Sequence, residues 1–193
     1  FPKPDGISED NTYCESATVL TLNPIWSNAG GRPFIPSSGF FRFTKGAFVY
    51  NAPAGVNTIN PNINLVQGGG SYGIYQVTYH YTDANGCTNV SPAKELRIYP
   101  LPQLSFNYTN ACFGDVTQFT PTINLPAIDA NDGITEIKWE FGDGTVETYS
   151  GATLAQGYNV SHTYSIAITY QAKLTVSTLQ TCSSTFIKNI RIG

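Results

Sequence analysis

A short signal occurs twice in this chain of 193 residues. Phe1-Pro-Lys-Pro4 and Tyr99-Pro-Leu-Pro102 each carry two prolines one residue apart, and a cysteine follows ten residues after the second proline, Cys14 in one case and Cys112 in the other. The closing parts match as well. Tyr75-Gln76 and Tyr170-Gln171 lie 12 residues before Cys87 and Cys182, and Arg97-Ile98 and Arg191-Ile192 end the two copies. A chain duplicated in this way is expected to fold as two modules, 1–100 and 101–193, each of about the size of a β-sandwich.

Composition says how such modules are built. Twelve tyrosines, 11 phenylalanines, 18 glycines and 12 prolines, with no methionine, favour strands and turns. Charged residues make up only 12%, well under the share usual in soluble domains. An all-β chain with a Thr-, Asn- and Ser-rich surface is expected, of the kind found in secreted proteins. A net charge of −3 with no basic run offers nothing to a phosphate backbone, so nucleic acid is not an expected partner. The apolar runs fall far short of the ~20 residues that cross a bilayer, so no membrane insertion is expected. The chain opens on Phe1 rather than Met, which reads as a cut or processed end.

The strand signals are clearest late in each module. In Tyr75-Gln-Val-Thr-Tyr-His-Tyr81, the residues Tyr75, Val77, Tyr79 and Tyr81 share one face. Tyr170, Ala172, Leu174 and Val176 do the same in the second copy. Ile137, Trp139 and Phe141 form a third alternating set, in which Trp139 is expected to anchor the core rather than to stack on carbohydrate. Asp83-Ala-Asn-Gly86 supplies the residue types of a hairpin turn. His80 falls on the polar side of its strand, with no second His, Cys pair or carboxylate at a helpful spacing, and is read as solvent-facing rather than as a ligand or base. From Val56 to Gly70 the chain is Asn-rich and ends in Gly68-Gly-Gly70, which reads as a long loop, flexible or functional.

Cys14, Cys87, Cys112 and Cys182 fall two to a module, without the CxxC spacing of a zinc or redox site. Three pairings are possible. The repeat favours Cys14–Cys87 and Cys112–Cys182, each closing a loop of about 70 residues and stabilising by roughly 4 kcal/mol in the chain-entropy treatment. The other reading is four buried thiols. Disulfides would place the chain in an oxidising setting, extracellular or periplasmic.

Trp139-Glu-Phe-Gly-Asp-Gly144, then His162-Thr-Tyr164, then Tyr170-Gln-Ala-Lys-Leu-Thr-Val176 resembles the polycystic kidney disease (PKD) domain, whose pattern is W-D-F-G-D-G, H-x-Y and Y-x-V-x-L-x-V. Glu140 stands where the family has its first Asp, and Ile168 where it has a Gly. The resemblance covers most of residues 103–193. It implies a seven-stranded, Ig-like sandwich in which Trp139, Phe141, Gly142, Asp143, Gly144, His162, Tyr164 and Tyr170 are structural. The first module is similar to the Ig-like and PKD-like repeats of giant surface proteins of Bacteroidota through Gly30-Gly31, Phe34, Gly39, Phe48, Pro53-Ala-Gly55 and Asp83-Ala-Asn-Gly-Cys87, with Val56–Gly70 as an insertion. The pair of modules resembles a slice of the gliding-motility adhesins of the SprB type.

That resemblance implies non-catalytic structural or adhesive repeats of a large secreted protein at the outer cell surface, serving as a spacer rod in adhesion and gliding. Its implied partners are neighbouring modules of the same parent chain and surface polysaccharide or substratum. A Pro-x-Pro joint with restricted φ suits such a spacer. The alternative is a carbohydrate- or protein-binding accessory module of a secreted hydrolase. Ser, His and Asp occur without a recognisable nucleophile turn, so neither enzyme activity nor a cofactor is expected. Related domains sometimes bind calcium, which makes Asp129, Asp132, Glu140 and Asp143 weak metal candidates, although Asp129-Ala-Asn-Asp-Gly133 misses the EF-hand spacing.

Overall fold

Strands carry both halves of the chain, and their alternating burial follows the alternation of the sequence. In the computed structural model, residues 3–7, 12–22, 24–27, 39–66, 71–82, 86–109, 111–130 and 132–193 are described, with the backbone alone for 3–7 and 24–27. The fold is all-β. Two units divide the chain, Phe1–Tyr99 and Pro100–Gly193.

The first unit contains β1 (Lys3–Ile7), β2 (Thr12–Cys14), β3 (Leu20–Thr21), β4 (Pro24–Ser27), β5 (Phe40–Lys45), β6 (Phe48–Asn51), β7 (Thr58–Ile59), β8 (Gly73–Thr82), β9 (Thr88–Val90) and β10 (Lys94–Tyr99). Its main sheet has the order β2-β10-β8-β5-β6, with β9 also on β8; β1 pairs with β4, and β3 with β7. Strand β2 runs parallel to β10, while the other pairs in that sheet are antiparallel. Tyr75, Val77, Tyr79 and Tyr81 all face the core, as their spacing predicts, and meet Phe41, Phe43, Leu96 and Ile98 there.

Leu20, Leu22, Ile59 and Leu65 join the same core. Much of the Asn-rich stretch is therefore ordered structure rather than loop. Thr58 and Ile59 pair with Thr21 and Leu20. Asn60 then caps a one-turn helix, α1 (Pro61–Asn64), by accepting from the Asn62 amide, with Pro61 at the start where its missing N–H costs nothing. Leu65 is fully buried, and the Tyr75 hydroxyl faces the carbonyls of Ser71 at 2.8 Å and Leu65 at 3.2 Å. Residues 67–70 lie outside the described residues, as do Asp83, Ala84 and Asn85 of the expected hairpin turn and Gly30, Gly31 and Phe34 of the resemblance.

The second unit contains β11 (Gln103–Thr109), β12 (Val116–Asn124), β13 (Ile134–Glu140), β14 (Val146–Ser150), β15 (Val160–Thr163), β16 (Thr169–Thr178) and β17 (Ser183–Arg191). Two antiparallel sheets result, β11-β12-β15 and β14-β13-β16-β17. Their facing sides bury Phe106, Phe119 and Val160 against Ile137, Trp139, Tyr170, Ala172, Leu174, Val176 and Ile190. Pro121 does not end β12. It pairs with Phe106 of β11 and lies beyond Phe119, the last residue of β12 that pairs with β15.

Neither expected disulfide forms. Cys14 and Cys182 are disulfide-bonded, whereas Cys87 and Cys112 are exposed thiols. Strand direction explains why each expected pairing fails. Cys14 lies beside Tyr99, near the Gly73 end of β8, because Ile98 pairs with Gly73. Cys87 comes after the opposite end of β8, past Thr82. Cys112 is held beside Gly193 by the Phe113 amide donating to the Gly193 carbonyl at 3.0 Å and the Gly193 amide to Ala111 at 3.1 Å. That is the Thr169 end of β16, while Cys182 sits at the far hairpin, where Ser177 pairs with Ser183. A ten-residue strand puts roughly 30 Å between such ends, and a disulfide needs Cα atoms within about 7 Å.

Candidate functional site

The residues of the Trp139–Gly144 motif converge on one corner of the second unit. Strand β13 carries Trp139 inward, where its indole N–H donates to the Gly157 carbonyl at 3.0 Å. Phe106 and Phe119 pack on the ring at 5.1 and 5.5 Å. Beyond the strand, the Phe141 amide donates to the Thr145 carbonyl at 3.1 Å, closing a tight turn. Gly142 lies at φ +89°, and a Cβ there would come within 2.6 Å of the Gln171 carbonyl oxygen. Only glycine suits that contact and that backbone conformation.

The turn aims Asp143 back at β15. Its Oδ1 accepts from the Thr145 amide at 2.9 Å, and its Oδ2 meets His162 Nε2 at 2.7 Å. The imidazole stacks on Phe141 at 4.2 Å and stands edge-on to Tyr164 at 4.7 Å. Tyr164, fully buried, donates to the Phe141 carbonyl at 3.1 Å and stacks on Tyr170 at 4.3 Å. The Tyr170 hydroxyl in turn donates to Ile166 at 3.0 Å. Burial pushes the Asp143 carboxyl up, but the Thr145 and His162 hydrogen bonds outweigh it and hold it below its usual range. Burial, followed by the Asp143 charge, drives the Tyr164 phenol well above its ordinary value.

The four acids singled out as calcium candidates do not form one site. Asp129 and Asp132 precede β13, while Glu140 and Asp143 lie at its other end, so seven residues of strand hold the pairs about 20 Å apart. Asp132 Oδ2 accepts from the Ile128 and Asp129 amides of its own loop. Glu140 lies 2.7 Å from Lys173 Nζ and 3.5 Å from Lys138 Nζ, and the Lys173 hydrogen bond holds its carboxyl below the usual range. Among the described residues no three His, Cys, Asp or Glu side chains gather as a metal site.

His80 departs from its expected place in solvent. It pairs across the sheet with Phe40, and the two rings stack at 4.9 Å with an interplanar angle of 10°. Thr78 Oγ1 lies 3.0 Å from its Nε2. Burial, then the Arg42 charge, lowers its pKa. Arg42 itself stands 5.9 Å from the Phe40 ring and donates to Asn51 Oδ1 at 2.9 Å. This half-buried patch lies on the face of β5 and β8 opposite the core.

The motif spacing alone points to the corner's aromatic members but not to Gly157, Thr145 or Lys173, which satisfy the indole, the aspartate and Glu140. Gly157 belongs to a 3-10 turn, Gly151–Tyr158, whose Ala- and Gly-rich sequence carries no strand or helix period.

Residues 101–192 match the family model for the PKD domain. The corner just described lies wholly within that PKD match. Among solved structures, the PKD1 domain of Vibrio anguillarum Epp is similar at 16% identity, over 49% of this chain and 95% of that one, with a TM-score of 0.38. The PKD domain of the human VPS10 domain-containing receptor SorCS2 is similar at 14% identity, over 49% and 74%, with a TM-score of 0.36. The fibronectin(III)-like modules of Clostridium thermocellum CbhA align over 100% of this chain and 93% of theirs at 12% identity, TM-score 0.36. No curated protein matches the chain. No helix among the described residues is long and apolar enough to cross a membrane.

Proposed function

We propose that this chain is a pair of structural, adhesive repeats from a large secreted surface protein, acting as a spacer in cell adhesion and, in a gliding bacterium, in motility. The observation that carries this reading is the use of the PKD motif. Trp139, Asp143, His162, Tyr164 and Tyr170 are bonded to one another or to backbone within the corner, so the motif builds a rigid fold. Spacing and stiffness, with neighbouring modules as partners, are functions that such a fold serves directly. An extracellular setting agrees with the disulfide and with the PKD match.

The test is removal of the segment coding for these two modules from the parent gene, with surface export checked by antibody. Reduced adhesion or gliding with export intact supports the reading; full adhesion and gliding with export intact counts against it.

A second reading, an accessory binding module of a secreted hydrolase, is favoured by the Phe40–His80 stack beside Arg42. Binding to a panel of polysaccharides that is lost in Phe40→Ala would support it over the spacer reading.

A further inference from the structure

The outward side of β5 and β8 carries two adjacent rows of different chemistry. Val90, His80 and Phe40 stand opposite one another across β9, β8 and β5. Val90 is 53% exposed, and the imidazole and phenyl rings stack at 4.9 Å. Burial, then the Arg42 charge, lowers the His80 pKa, so at neutral pH this row is uncharged. Thr78, Arg42 and Asn51 form the next row, across β8, β5 and β6, two residues along each strand and so about 7 Å away. Arg42 Nε donates to Asn51 Oδ1 at 2.9 Å, and its Cζ stands 5.9 Å from the centre of the Phe40 ring. Its guanidinium makes no ion pair with a described residue. Glu95, on the same face, lies 2.5 Å from Arg97, and Glu15 accepts from the Ser71 amide at 3.0 Å. A half-buried guanidinium without a counter-ion, held in place beside an apolar row, is suited to an anion from outside the protein. Its planar fork matches a carboxylate.

We propose that this face binds a uronate-containing polysaccharide: the Val90–His80–Phe40 row takes the apolar C–H face of a sugar ring, and the Arg42 guanidinium takes its carboxylate. The proposal rests on the binding-module reading of the same patch and names its ligand. Two rows are what a uronate needs. The ring stacks on the flat aromatic surface, while the Thr78 hydroxyl and the Asn51 amide, on either side of Arg42, offer partners to the sugar hydroxyls. Asn51 holds Nε, which leaves both Nη groups for the carboxylate. An acidic peptide fits less well. Strand β5 is paired on both sides, with β8 and β6, and β8 is paired with β5 on one side and with β9 and β10 on the other. No open backbone edge lies here for an extended peptide, which would draw its affinity from main-chain hydrogen bonds.

The test is affinity electrophoresis of the whole chain in gels containing polygalacturonate or alginate, with methyl-esterified polygalacturonate, dextran and polyglutamate as comparisons. Both uronates should retard the chain, and esterification, which removes the carboxylate charge, should weaken binding roughly tenfold or more. Arg42→Gln and Phe40→Ala should each weaken uronate binding by a similar factor with an unchanged melting temperature. Arg191→Gln, the same loss of charge at an exposed site in the second unit, should bind as wild type does. Uronate binding that survives Arg42→Gln would overturn the proposal, as would equal retardation by polyglutamate. Equal retardation by dextran or by the methyl ester, lost in Phe40→Ala, would overturn the uronate assignment and keep the binding-module reading. Retardation by none of the polysaccharides would overturn both.

Discussion

Asp143 and His162, 19 residues apart in sequence, meet at 2.7 Å across the corner of the second unit. The contact joins the turn after β13 to strand β15, and the same carboxylate also accepts from the Thr145 amide. Asp143→Asn keeps the shape and removes the charge. A charge-assisted hydrogen bond of this kind contributes about 1.5–3 kcal/mol, so a loss in that range is expected in urea unfolding at pH 7. The sign follows from the direction of the shift. The folded carboxyl titrates below its usual value, so its contribution is complete above the unfolded pKa of about 4 and disappears as pH falls through the folded one. Wild type and Asp143→Asn should therefore converge in stability in strong acid. A gap at pH 2 as wide as at pH 7 would contradict this account.

Gly142 and Gly144 offer a paired test two residues apart. Both have positive φ, +89° and +96°, but a Cβ at Gly142 runs into the Gln171 backbone, while at Gly144 it meets nothing within 4 Å. Gly144→Ala should cost about 1–2 kcal/mol from the left-handed backbone alone. Gly142→Ala adds an overpacking penalty of about 1–3 kcal/mol, since Gln171 lies in the middle of a sheet and cannot step aside. Denaturation of the two variants side by side measures the difference. Equal losses would show that the close approach is not what fixes Gly142.

Trp139 is the largest fully buried side chain among the described residues. Trp139→Ala should cost about 3–5 kcal/mol through its cavity. Trp139→Phe retains most of the packing but leaves the Gly157 carbonyl without the indole donor, a loss of about 1–3 kcal/mol. Chemical unfolding of both variants checks the order. Amide exchange in the phenylalanine variant should rise first around Gly151–Tyr158, the segment that the indole ties to the core.

How far the sequence reveals this molecule depends on whether a signal is local. The faces of β8, β13 and β16 could be read because alternate residues of one strand share a side, whatever the strand pairs with. The inward side chains of Tyr75 and Tyr170 and the anchoring role of Trp139 followed from that. Disulfide pairing is a different kind of question. Matched positions in a repeat say which cysteines are equivalent, but not which end of a strand each one occupies, and the register of β10 on β8 sets Cys14 far from Cys87. The Val56–Val66 stretch was obscured for another reason. Its asparagines mask two core residues, Ile59 and Leu65, whose six-residue spacing fits neither period because a strand, a cap and a helical turn succeed one another between them. Charge along the sequence does not show that strand β13 lies between Asp129 and Asp132 on one side and Glu140 and Asp143 on the other.

His80 sets a different acid limit for the first unit. Burial and the neighbouring Arg42 lower its pKa, so the folded state holds the ring neutral at pH values where the unfolded chain already protonates it. The unfolded state then binds more protons, and stability rises with pH across the interval between the lowered folded pKa and the unfolded value of about 6.5. As pH falls below about 6.5 the first unit should lose stability, well before the carboxylates of the second unit are protonated. His80→Gln removes the titrating group and should flatten that part of the profile while leaving the acid limb of the second unit unchanged. Tyrosine-ring NMR signals of Tyr79 and Tyr81, followed through urea titrations between pH 5 and 8, give the readout for the first unit. A wild-type profile as flat as that of His80→Gln over this range would show that the Phe40–His80 stack accommodates the imidazolium, against the direction argued here.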